Sequence, residues 1–447
     1  MASDLLSIAR SGVQAARIGL DITAQNIANA SSTGYVRRSA AFSEVASTGG
    51  AYRIGDLSLS GVRLNSIVRN ADAFRQAEVR RTNSDVARAS AEVSGLENIE
   101  AAIEQSGVYD AIVGFESSLQ QLTQNPTDTS LRASVIEKAR TMAGTFQIAS
   151  QELDAAADGL RFLASDGVTQ VNRIAQELAR TNTRLARASD ASSDKTALLD
   201  QRDQLLEELS GFANISTEFS ADGQVAIKIG GSSGADLVTG NTAATLGMTT
   251  SPTDGTISFT VGSTALTLAG GSLAGQQLAL AKGAQLKTDL DTLAGDIVDA
   301  FNTAQTGGRD LDGAMGVAIF SGTSAATMAL AVEDGRKIAT APASETTPGS
   351  RDAANLTAIR TALAGVNPSG TMDAILFDVS GTLAGRNVTL GALQTIADTA
   401  KVALSAQSGV DLDQEAVNLV RFQQAFQASG KVMQVSSDIF DTLLGIR

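Results

Sequence analysis

Apolar residues recur at a regular spacing in the first thirty residues of the chain. Large side chains lie seven positions apart, at Leu6, Val13, Leu20 and Ile27. A small residue, Ala or Thr, follows three positions after each of them. This is the a/d pattern of a helix that packs lengthwise against another helix. It predicts an amphipathic helix over residues 3–31, which a left-handed Gly34 would end.

The last part of the chain, residues 411–447, repeats this pattern. Large apolar residues are again seven positions apart, at Leu412, Leu419, Phe426, Met433 and Phe440. The second position of the stripe is filled by Phe422, Ser429, Ser436 and Leu443. Acidic residues crowd the predicted start of this helix, where carboxylates accept hydrogen bonds from free N–H groups. We interpret them as caps and not as a calcium loop, because the glycine and the ligand spacing of an EF-hand are missing.

Neither helix can bury its apolar stripe alone. Each large side chain in a stripe contributes about 1.5–3 kcal/mol when it is removed from water. The two helices are therefore expected to pair in a coiled-coil-like layer, with each other or with the same helices of neighbouring molecules. Their opposite faces hold mostly Ser, Gln, Asn, Thr and Ala, a composition that favours burial among other protein chains. A self-contained pair within one molecule is the alternative.

Between these helices the hydrophobic period changes twice. A helical period over residues 71–211 predicts long helices, the first of them capped by Asn70. Strict alternation follows, with Asp222-Gly223 as a hairpin turn, which predicts a small β-rich module. The helical period then returns, apart from a predicted strand at Ala374–Val379. The predicted fold class is mainly α with a β-rich insertion, and a long helical bundle forms the body.

These changes of pattern divide the chain into seven segments. They are an inner N-terminal helix (1–36), the first part of the helical body (37–211), an outer β-rich module (212–281), the second part of the body (282–313), a mixed α/β stretch rich in Gly, Ala and Thr (314–385), the last part of the body (386–410) and an inner C-terminal helix (411–447). The chain is thus expected to run outward from the inner layer and to return to it.

The composition narrows the possible chemistry. The 447 residues include no Cys and no His, which excludes thiol nucleophiles, imidazole bases, disulfides and Cys/His zinc sites. The formal net charge of −14 disfavours nucleic acid as a partner. No apolar run is long enough to cross a membrane, and Asp4 and Arg10 interrupt the core that a signal peptide needs. We therefore expect no catalytic, cofactor or metal site, no membrane insertion and no cleaved signal peptide.

Three segments resemble one protein family. LDITAQNIANASSTGYVRR, residues 20–38, is similar to the N-terminal signature of the axial proteins of the bacterial flagellum, which are rod, hook and hook-associated proteins. The C-terminal segment that contains RFQQAFQAS is similar to the last helix of that family. TALLDQRDQLLEELS, residues 196–210, resembles an internal segment of the hook-associated branch that rod and hook proteins lack. Taken alone, its acids and arginines predict only a solvated or intersubunit ion-paired face.

The resemblance implies a structural, non-enzymatic subunit that joins the hook to the filament outside the cell. It implies export through the flagellar type III apparatus without signal cleavage, a cytoplasmic export chaperone on the C-terminal helix, and a homo-oligomeric ring at the hook tip. The ring would contact hook protein below it, and the next hook-associated protein and the filament above it. The alternatives are another axial component, such as a hook or distal rod protein, and a secreted adhesin or enzyme with flagellar-type ends.

The assembly interface is expected to lie on the stripes of the two terminal helices. Its candidate residues are Leu6, Val13, Leu20, Ile27, Asn26, Asn29, Leu419, Phe422, Phe426, Met433, Phe440 and Leu443. The amides of Asn26 and Asn29 have two possible partners, a neighbouring chain or the fraying end of their own helix. Gly34-Tyr35 is expected to turn the chain from the inner layer into the outer body.

Overall fold

The computed structural model describes residues 2–32, 34–44, 61–189 and 192–445, with side chains described from Leu5 to Thr442 within those ranges apart from Ser193. Its helices in these ranges are α1 (Ala2–Ala28), α2 (Ala73–Glu104), α3 (Val108–Gln124), α4 (Thr129–Leu185), α5 (Ser193–Phe212), α6 (Ser272–Thr306), α7 (Ala354–Val366), α8 (Pro368–Ser408) and α9 (Leu412–Gly445). Its strands are β1 (Arg38–Glu44), β2 (Val62–Arg69), β3 (Ile215–Phe219), β4 (Val225–Ile229), β5 (Ala235–Thr239), β6 (Thr242–Ala243), β7 (Leu246–Thr250), β8 (Ile257–Val261), β9 (Thr264–Leu266), β10 (Gly308–Arg309), β11 (Phe320–Ser321), β12 (Ala329–Leu330) and β13 (Ala341–Pro342).

Long helices form the body of the molecule, as the helical period predicts. α2 packs along α6 and α8, and α4 packs against α3, α5 and α6. Three aromatic rings meet in the core: the ring centroid of Phe301 lies 5.7 Å from that of Phe115 and 5.2 Å from that of Phe320. Such ring pairs stabilise a core beyond the apolar area that they bury. The same core continues into the β-rich module, where Ile227 and Phe259 are buried.

A polar side chain fixes the start of α2, but it is not the predicted one. Asp72 accepts hydrogen bonds from the backbone N–H groups of Phe74 and Arg75. Asn70, the predicted cap, instead donates its side-chain amide to the carbonyl oxygen of Gln407, at 2.7 Å. The prediction was wrong because Asn70 links the chain just before α2 to the end of α8, a long-range contact that local spacing does not reveal.

The β-rich module consists of two antiparallel sheets. One has the strand order β3-β4-β5-β6, and the other has the order β7-β8-β9. The hairpin between β3 and β4 turns at Gly223, with a φ of 91°, as the sequence predicts. Two asparagines of α4 hold the module: the amide of Asn182 donates to the carbonyl oxygen of Val225 at 2.8 Å, and that of Asn172 to Leu246 at 2.9 Å.

Three segments differ from the predicted secondary structure. Residues 272–281, predicted as the end of the β-rich module, form the start of α6. The stretch 38–69, predicted as part of the helical body, contains the antiparallel strands β1 and β2. Ala374–Val379, predicted as a strand, lies inside α8. Pro368 occupies the first turn of that helix, and its buried apolar residues recur at helical spacing, at Met372, Ile375, Val379 and Leu383. The predicted mixed stretch 314–385 holds two-residue strands, α7 and the beginning of α8. The strand prediction failed because the apolar run at Ala374–Val379 is too short to distinguish a strand from a helix.

Two glycines let α2 and α6 approach each other closely. A Cβ atom built on Gly275 would lie 2.2 Å from the carbonyl oxygen of Arg88, and one built on Gly95 would lie 2.5 Å from the Cβ of Ala279. Both distances are shorter than non-bonded atoms allow. The spacing of these two helices therefore requires glycine at the crossing.

We predict that Gly275→Ala lowers the free energy of unfolding by about 3 kcal/mol, because the added methyl group forces the backbones of α2 and α6 apart. Gly144→Ala in α4 is the matched control, since no atom lies within 4 Å of its Cβ position. The control should raise the free energy of unfolding by about 0.5–1 kcal/mol through better helix propensity. Urea unfolding followed by circular dichroism measures both, and equal effects would contradict the close crossing.

Candidate functional site

The first and last helices pack against each other along their length. Glycines on α1 make the contact close: a Cβ on Gly12 would lie 2.8 Å from the Ser429 hydroxyl, and one on Gly19 would lie 2.6 Å from the ring of Phe422. Small side chains of α1 are buried on the same face, including Ala9 and Ala16. We call this two-helix element the terminal pair.

The small side of the predicted α1 stripe faces α9, and the large side lies at the edge of the contact. Val13 and Leu20 are half-buried, whereas Leu6 and Ile27 are exposed. The signal that sequence reasoning missed is the pair Gly12 and Gly19, seven residues apart and beside the small side chains.

On α9 the predicted stripe turns toward α1. Leu419, Phe422 and Met433 are half-buried, and Phe426 and Phe440 are exposed. The side chain of Leu443, also predicted for the interface, lies outside the described residues.

The terminal pair keeps a large apolar surface in contact with solvent. Its large exposed apolar residues are Leu5, Leu6, Ile8 and Ile27 of α1 and Leu412, Val417, Val420, Phe426, Val432, Val435, Ile439 and Phe440 of α9. We call these residues the outer face of the terminal pair. Large exposed apolar patches mark interaction sites in proteins.

Asn26 is a buried junction between the terminal pair and the body. Its amide nitrogen donates to the carbonyl oxygen of Arg38 at 2.8 Å and to Oε2 of Glu415 at 3.2 Å. Its amide oxygen accepts the Tyr35 hydroxyl at 2.9 Å and the backbone N–H of Arg38 at 3.0 Å. These four bonds use the full capacity of an asparagine side chain. Neither expected partner of Asn26, a neighbouring chain or the fraying end of α1, is the observed one: its partners are Tyr35, Arg38 and Glu415 of its own molecule.

Asn29 and Gly34 shape the turn that follows α1. Asn29 donates its amide to the carbonyl oxygen of Gln25 at 2.9 Å, so it binds the end of its own helix. That helix ends at Ala28 rather than at residue 31. Gly34 is left-handed, with a φ of 77°, but it lies in the turn and not at the helix end. A Cβ there would lie 2.9 Å from the Gln204 amide, so Gly34 lets the chain pass close to α5.

Glu415 ties the start of α9 to the segment after α1. Its Oε1 accepts Nε of Arg37 at 2.7 Å, and its side chain is 1% exposed. Asp411, one of the acidic residues interpreted as caps, accepts hydrogen bonds from the N–H groups of Asp413 and Gln414. Glu415, interpreted as a further cap, instead serves as a buried ion-pair partner.

The acids of α5 anchor the β1–β2 hairpin. Asp200 lies 2.6 Å from Nη2 of Arg38 and 2.8 Å from Nη2 of Arg69, which also lies 2.8 Å from Asp203. Arg202 completes the group, with Nη2 at 2.6 Å from Asp203. The side chains of all five residues are about nine-tenths buried or more. The prediction of a solvated or intersubunit ion-paired face is therefore wrong, because these charges are paired within one chain.

Arg202 extends this ion-pair cluster to the β-rich module. Its Nη1 donates to the carbonyl oxygen of Gly223 at 2.6 Å, and its guanidinium lies 4.5 Å from the ring centroid of Phe219. Cation–π contact and hydrogen bonding together hold a planar guanidinium in one orientation. The α5 cluster thus contacts the strands that follow α1 and the first hairpin of the module.

Burial and charge act in opposite directions on this cluster. Burial alone would raise the pKa of Asp203, but attraction to Arg202 and Arg69 and the hydrogen bonds from both lower the pKa overall. Burial lowers the pKa of Arg202 in spite of the neighbouring carboxylates. Burial also raises the pKa of Tyr35, which therefore stays a neutral hydrogen-bond donor to Asn26.

Within the part of the chain that the structure describes, Asp and Glu residues form no group of three that could hold a metal ion. None of the described helices combines the length and apolarity that crossing a membrane requires.

We predict that Asp203→Asn lowers the free energy of unfolding by about 3 kcal/mol at pH 7, because Arg69 and Arg202 lose a buried partner. The folded-state pKa of Asp203 is lowered, so its stabilisation is present above the unfolded pKa of about 4 and is lost as the pH falls through the folded value. The difference between the two proteins should therefore shrink below about pH 4.

Glu208→Gln is the matched control, because Glu208 pairs with Arg173 where both side chains are about half exposed. It should cost less than about 1 kcal/mol. Urea titrations at several pH values measure both variants. A pH-independent effect of Asp203→Asn would rule out the charged pair as its cause.

Comparison with known proteins shows what the chain is similar to. Residues 93–320 match the family model of the helical domain of the flagellar hook-associated protein FlgK. Residues 404–446 match the C-terminal model of the flagellar basal body rod FlgEFG proteins, and residues 6–35 match that of the flagella basal body rod protein. The models that match the two ends are thus those of rod proteins, whereas the central match is to FlgK.

Individual proteins that are similar to this chain are also flagellar hook-associated proteins. Flagellar hook-associated protein 1 of Bacillus subtilis is 24% identical over 492 residues, which cover 98% of this chain and 97% of that protein. The protein of the same description from Salmonella typhimurium is 29% identical and covers 71% of this chain. The structure of the flagellar hook junction protein FlgK from Burkholderia pseudomallei superposes with a TM-score of 0.50 and 25% identity over 55% of this chain. The chain spans 59% of the Salmonella protein and 46% of the Burkholderia chain.

Proposed function

Since the chain belongs to the FlgK family of flagellar hook-associated proteins, we propose that it is a structural, non-enzymatic subunit that joins the flagellar hook to the filament. The family expected from the terminal and internal segments is thereby confirmed. The match to the FlgK helical domain favours this role over that of a rod or hook protein, whose family models match only the two ends.

The observation that supports this proposal is the outer face of the terminal pair. Within one molecule α1 and α9 share their small and half-buried side chains, and the remaining large apolar residues of the outer face are exposed. Burial of each large side chain contributes about 1.5–3 kcal/mol, so neighbouring copies that cover this face gain a large driving force. Four candidate interface residues from the sequence belong to the exposed set: Leu6, Ile27, Phe426 and Phe440.

We propose that identical copies form a ring at the tip of the hook through this face. Hook protein would lie below the ring, and the next hook-associated protein and the filament would lie above it. A ring uses a different surface of each subunit on its two sides, as heterologous interfaces do. The proposal places the working protein outside the cell, in the flagellum.

We further propose that α9 binds an export chaperone in the cytoplasm before the chain passes through the flagellar type III apparatus. An amphipathic helix with exposed apolar residues on its outer face suits a hydrophobic groove on another protein. In α9 these residues include Val417, Val420 and Val435. The chaperone would cover a surface that otherwise favours premature association of copies.

We predict that the double variant Val435→Ala/Phe440→Ala fails to retain filaments and sheds flagellin into the medium. Both side chains are more than half exposed, so the melting temperature of the isolated protein should stay near that of the wild type. The contrasting variant is Phe301→Ala, whose side chain is fully buried and whose loss costs about 3–5 kcal/mol of folding free energy. The measurements are the amount of flagellin in the medium and the melting temperature of both variants. Retained filaments in the double variant would contradict the proposed interface.

We predict that deletion of residues 411–447 abolishes chaperone binding and incorporation into flagella, while α2 to α8 still fold. The deletion removes Glu415 and frees Arg37, but the α5 ion-pair cluster keeps its described members. Pull-down with the chaperone and a melting curve test these two statements separately. A truncated protein that assembles on hooks would show that α9 is not the interface.

A further inference from the structure

The helix α8 has two apolar faces, of which the body covers one. Its buried face consists of Met372, Ile375, Val379, Leu383, Ala397 and Ala400, and Leu390 also packs there. This face lies against α2, where Leu383 packs on Val93 and Leu96. A helix that is apolar on all sides is normally buried on all sides. α8 departs from that rule in a single molecule.

The uncovered face is a continuous, uncharged stripe. It consists of Ala374, Phe377, Gly381, Ala384, Val388, Ala392, Thr395, Thr399, Val402 and Ala406, and every member is exposed. At 3.6 residues per turn these positions fall within about 40° of one line, on the side of the helix opposite to the buried face. Their spacing of three and four residues is that of a seam between packed helices. We call this surface the α8 stripe.

Large apolar residues on the α8 stripe are strongly exposed. Phe377 is 79% and Val388 77% exposed to solvent. The charged residues Asp373, Asp378 and Asp398 flank the stripe and do not interrupt it. Such a surface resembles the core of a protein interface surrounded by a polar rim.

The polar members of the α8 stripe need no partner. Thr395 donates its hydroxyl to the carbonyl oxygen of Gly391 at 3.1 Å, and Thr399 donates to that of Thr395 at 2.8 Å. No atom lies within 4 Å of a Cβ position on Gly381, so another helix can approach this point closely. The stripe can therefore be covered by apolar surface without the cost of an unsatisfied hydrogen bond.

A second unfilled apolar surface lies on the same chain. A cleft of about 700 Å³ runs between the C-terminal half of α2 and the middle of α4, and Ala101, Ala155 and Gly159 form part of its lining. Exposed Phe162 and Leu163 stand at this cleft. Among the residues that line the cleft, Glu152 carries the single carboxylate. The α8 stripe contains no charged residue that would face it. We call this surface the α2–α4 groove.

From these two surfaces, and resting on the proposed ring, we propose that the α8 stripe of one copy packs into the α2–α4 groove of the next copy. The stripe points away from α2 and cannot reach the groove of its own molecule. When the stripe of one copy binds the groove of a second copy, the stripe of the second copy can still bind the groove of a third. Repeated contacts between two different surfaces of this kind form a heterologous ring. The occupant of the stripe is thus a second copy of this chain.

The position of α8 in the chain supports this choice of occupant. Only residues 409–411 separate α8 from α9, and α9 carries the outer face that the proposed function already places between copies. One set of neighbouring copies can then cover both surfaces. The α8 stripe extends the contact from the terminal pair into the helical body.

The chain contains no Cys, so introduced thiols report the contact without background. The double variants are Val388→Cys/Gly159→Cys and Ala384→Cys/Ala155→Cys, produced in the source bacterium in place of the native protein. Isolated flagella are treated with a flexible bismaleimide, which tolerates a shift of about one helical turn (~5 Å) between the helices. We expect a ladder of dimers and higher multimers on denaturing gels. Val388→Cys alone and Gly159→Cys alone should remain monomeric.

Cross-linking of Val388→Cys alone would show that the stripe packs on itself, and it would overturn the groove as its partner. Absence of a ladder in both double variants, with the protein present in the flagella, would overturn the inference while leaving the proposed function intact. Absence of the wild-type protein from isolated flagella, tested by immunoblot, would instead contradict the proposed function.

A charge substitution provides a second test that does not depend on cross-linking. Val388→Glu should leave the melting temperature unchanged, since Val388 is exposed, and should reduce the amount of protein in isolated flagella at least tenfold. Asn387→Glu is the matched control, because it adds the same charge at the adjacent exposed position outside the stripe. Normal incorporation of Val388→Glu would overturn the inference. Loss of both variants alike would do the same, because it would assign the effect to net charge.

Discussion

The buried carboxylates of Asp200, Asp203 and Glu415 fix the position of the terminal pair on the body. Two short segments, residues 29–37 and 409–411, connect the pair to the rest of the chain. Apolar packing alone would let such a pair pivot, because the hydrophobic effect has no preferred direction. Hydrogen-bonded ion pairs do have one, and removing one partner of a buried pair costs about 3–5 kcal/mol. The junction therefore fixes the angle of the terminal pair on the body more than it adds to the free energy of folding.

Apolar surface is distributed unequally between the body and the terminal pair. The body buries its aromatic and aliphatic residues around Phe115, Phe301 and Phe320. The terminal pair and the outer side of α8 expose side chains of the same kind. A single chain is thus a folded body that exposes apolar surface on the terminal pair and on the outer side of α8. Because the body folds around its own core, copies can join without rebuilding it.

Patterns with a fixed period predict the fold where a helix or hairpin is determined by neighbouring residues. The seven-residue repeat predicts α1 and α9, and strict alternation around a Gly turn predicts the β3–β4 hairpin. Periodicity does not reveal which side of α1 faces α9, because that depends on how closely Gly12 and Gly19 let the backbones approach. It also does not reveal the partners of Asp200, since Arg38 lies 162 positions away along the chain. Charges so distant in sequence are paired by the fold, and their spacing alone indicates only a solvated face.

The packing of α9 favours cooperative assembly of the proposed ring. Among the described side chains of α9, Glu415 and Ser436 are the buried ones, and the rest are half-buried or exposed. Each copy therefore gains little from its own terminal pair, and most of the available apolar burial requires neighbours. In the proposed ring, a single added copy would cover part of one face, whereas closure would cover two surfaces of every copy. The fixed angle at the junction makes this possible, because it presents the outer face in the same orientation on each molecule.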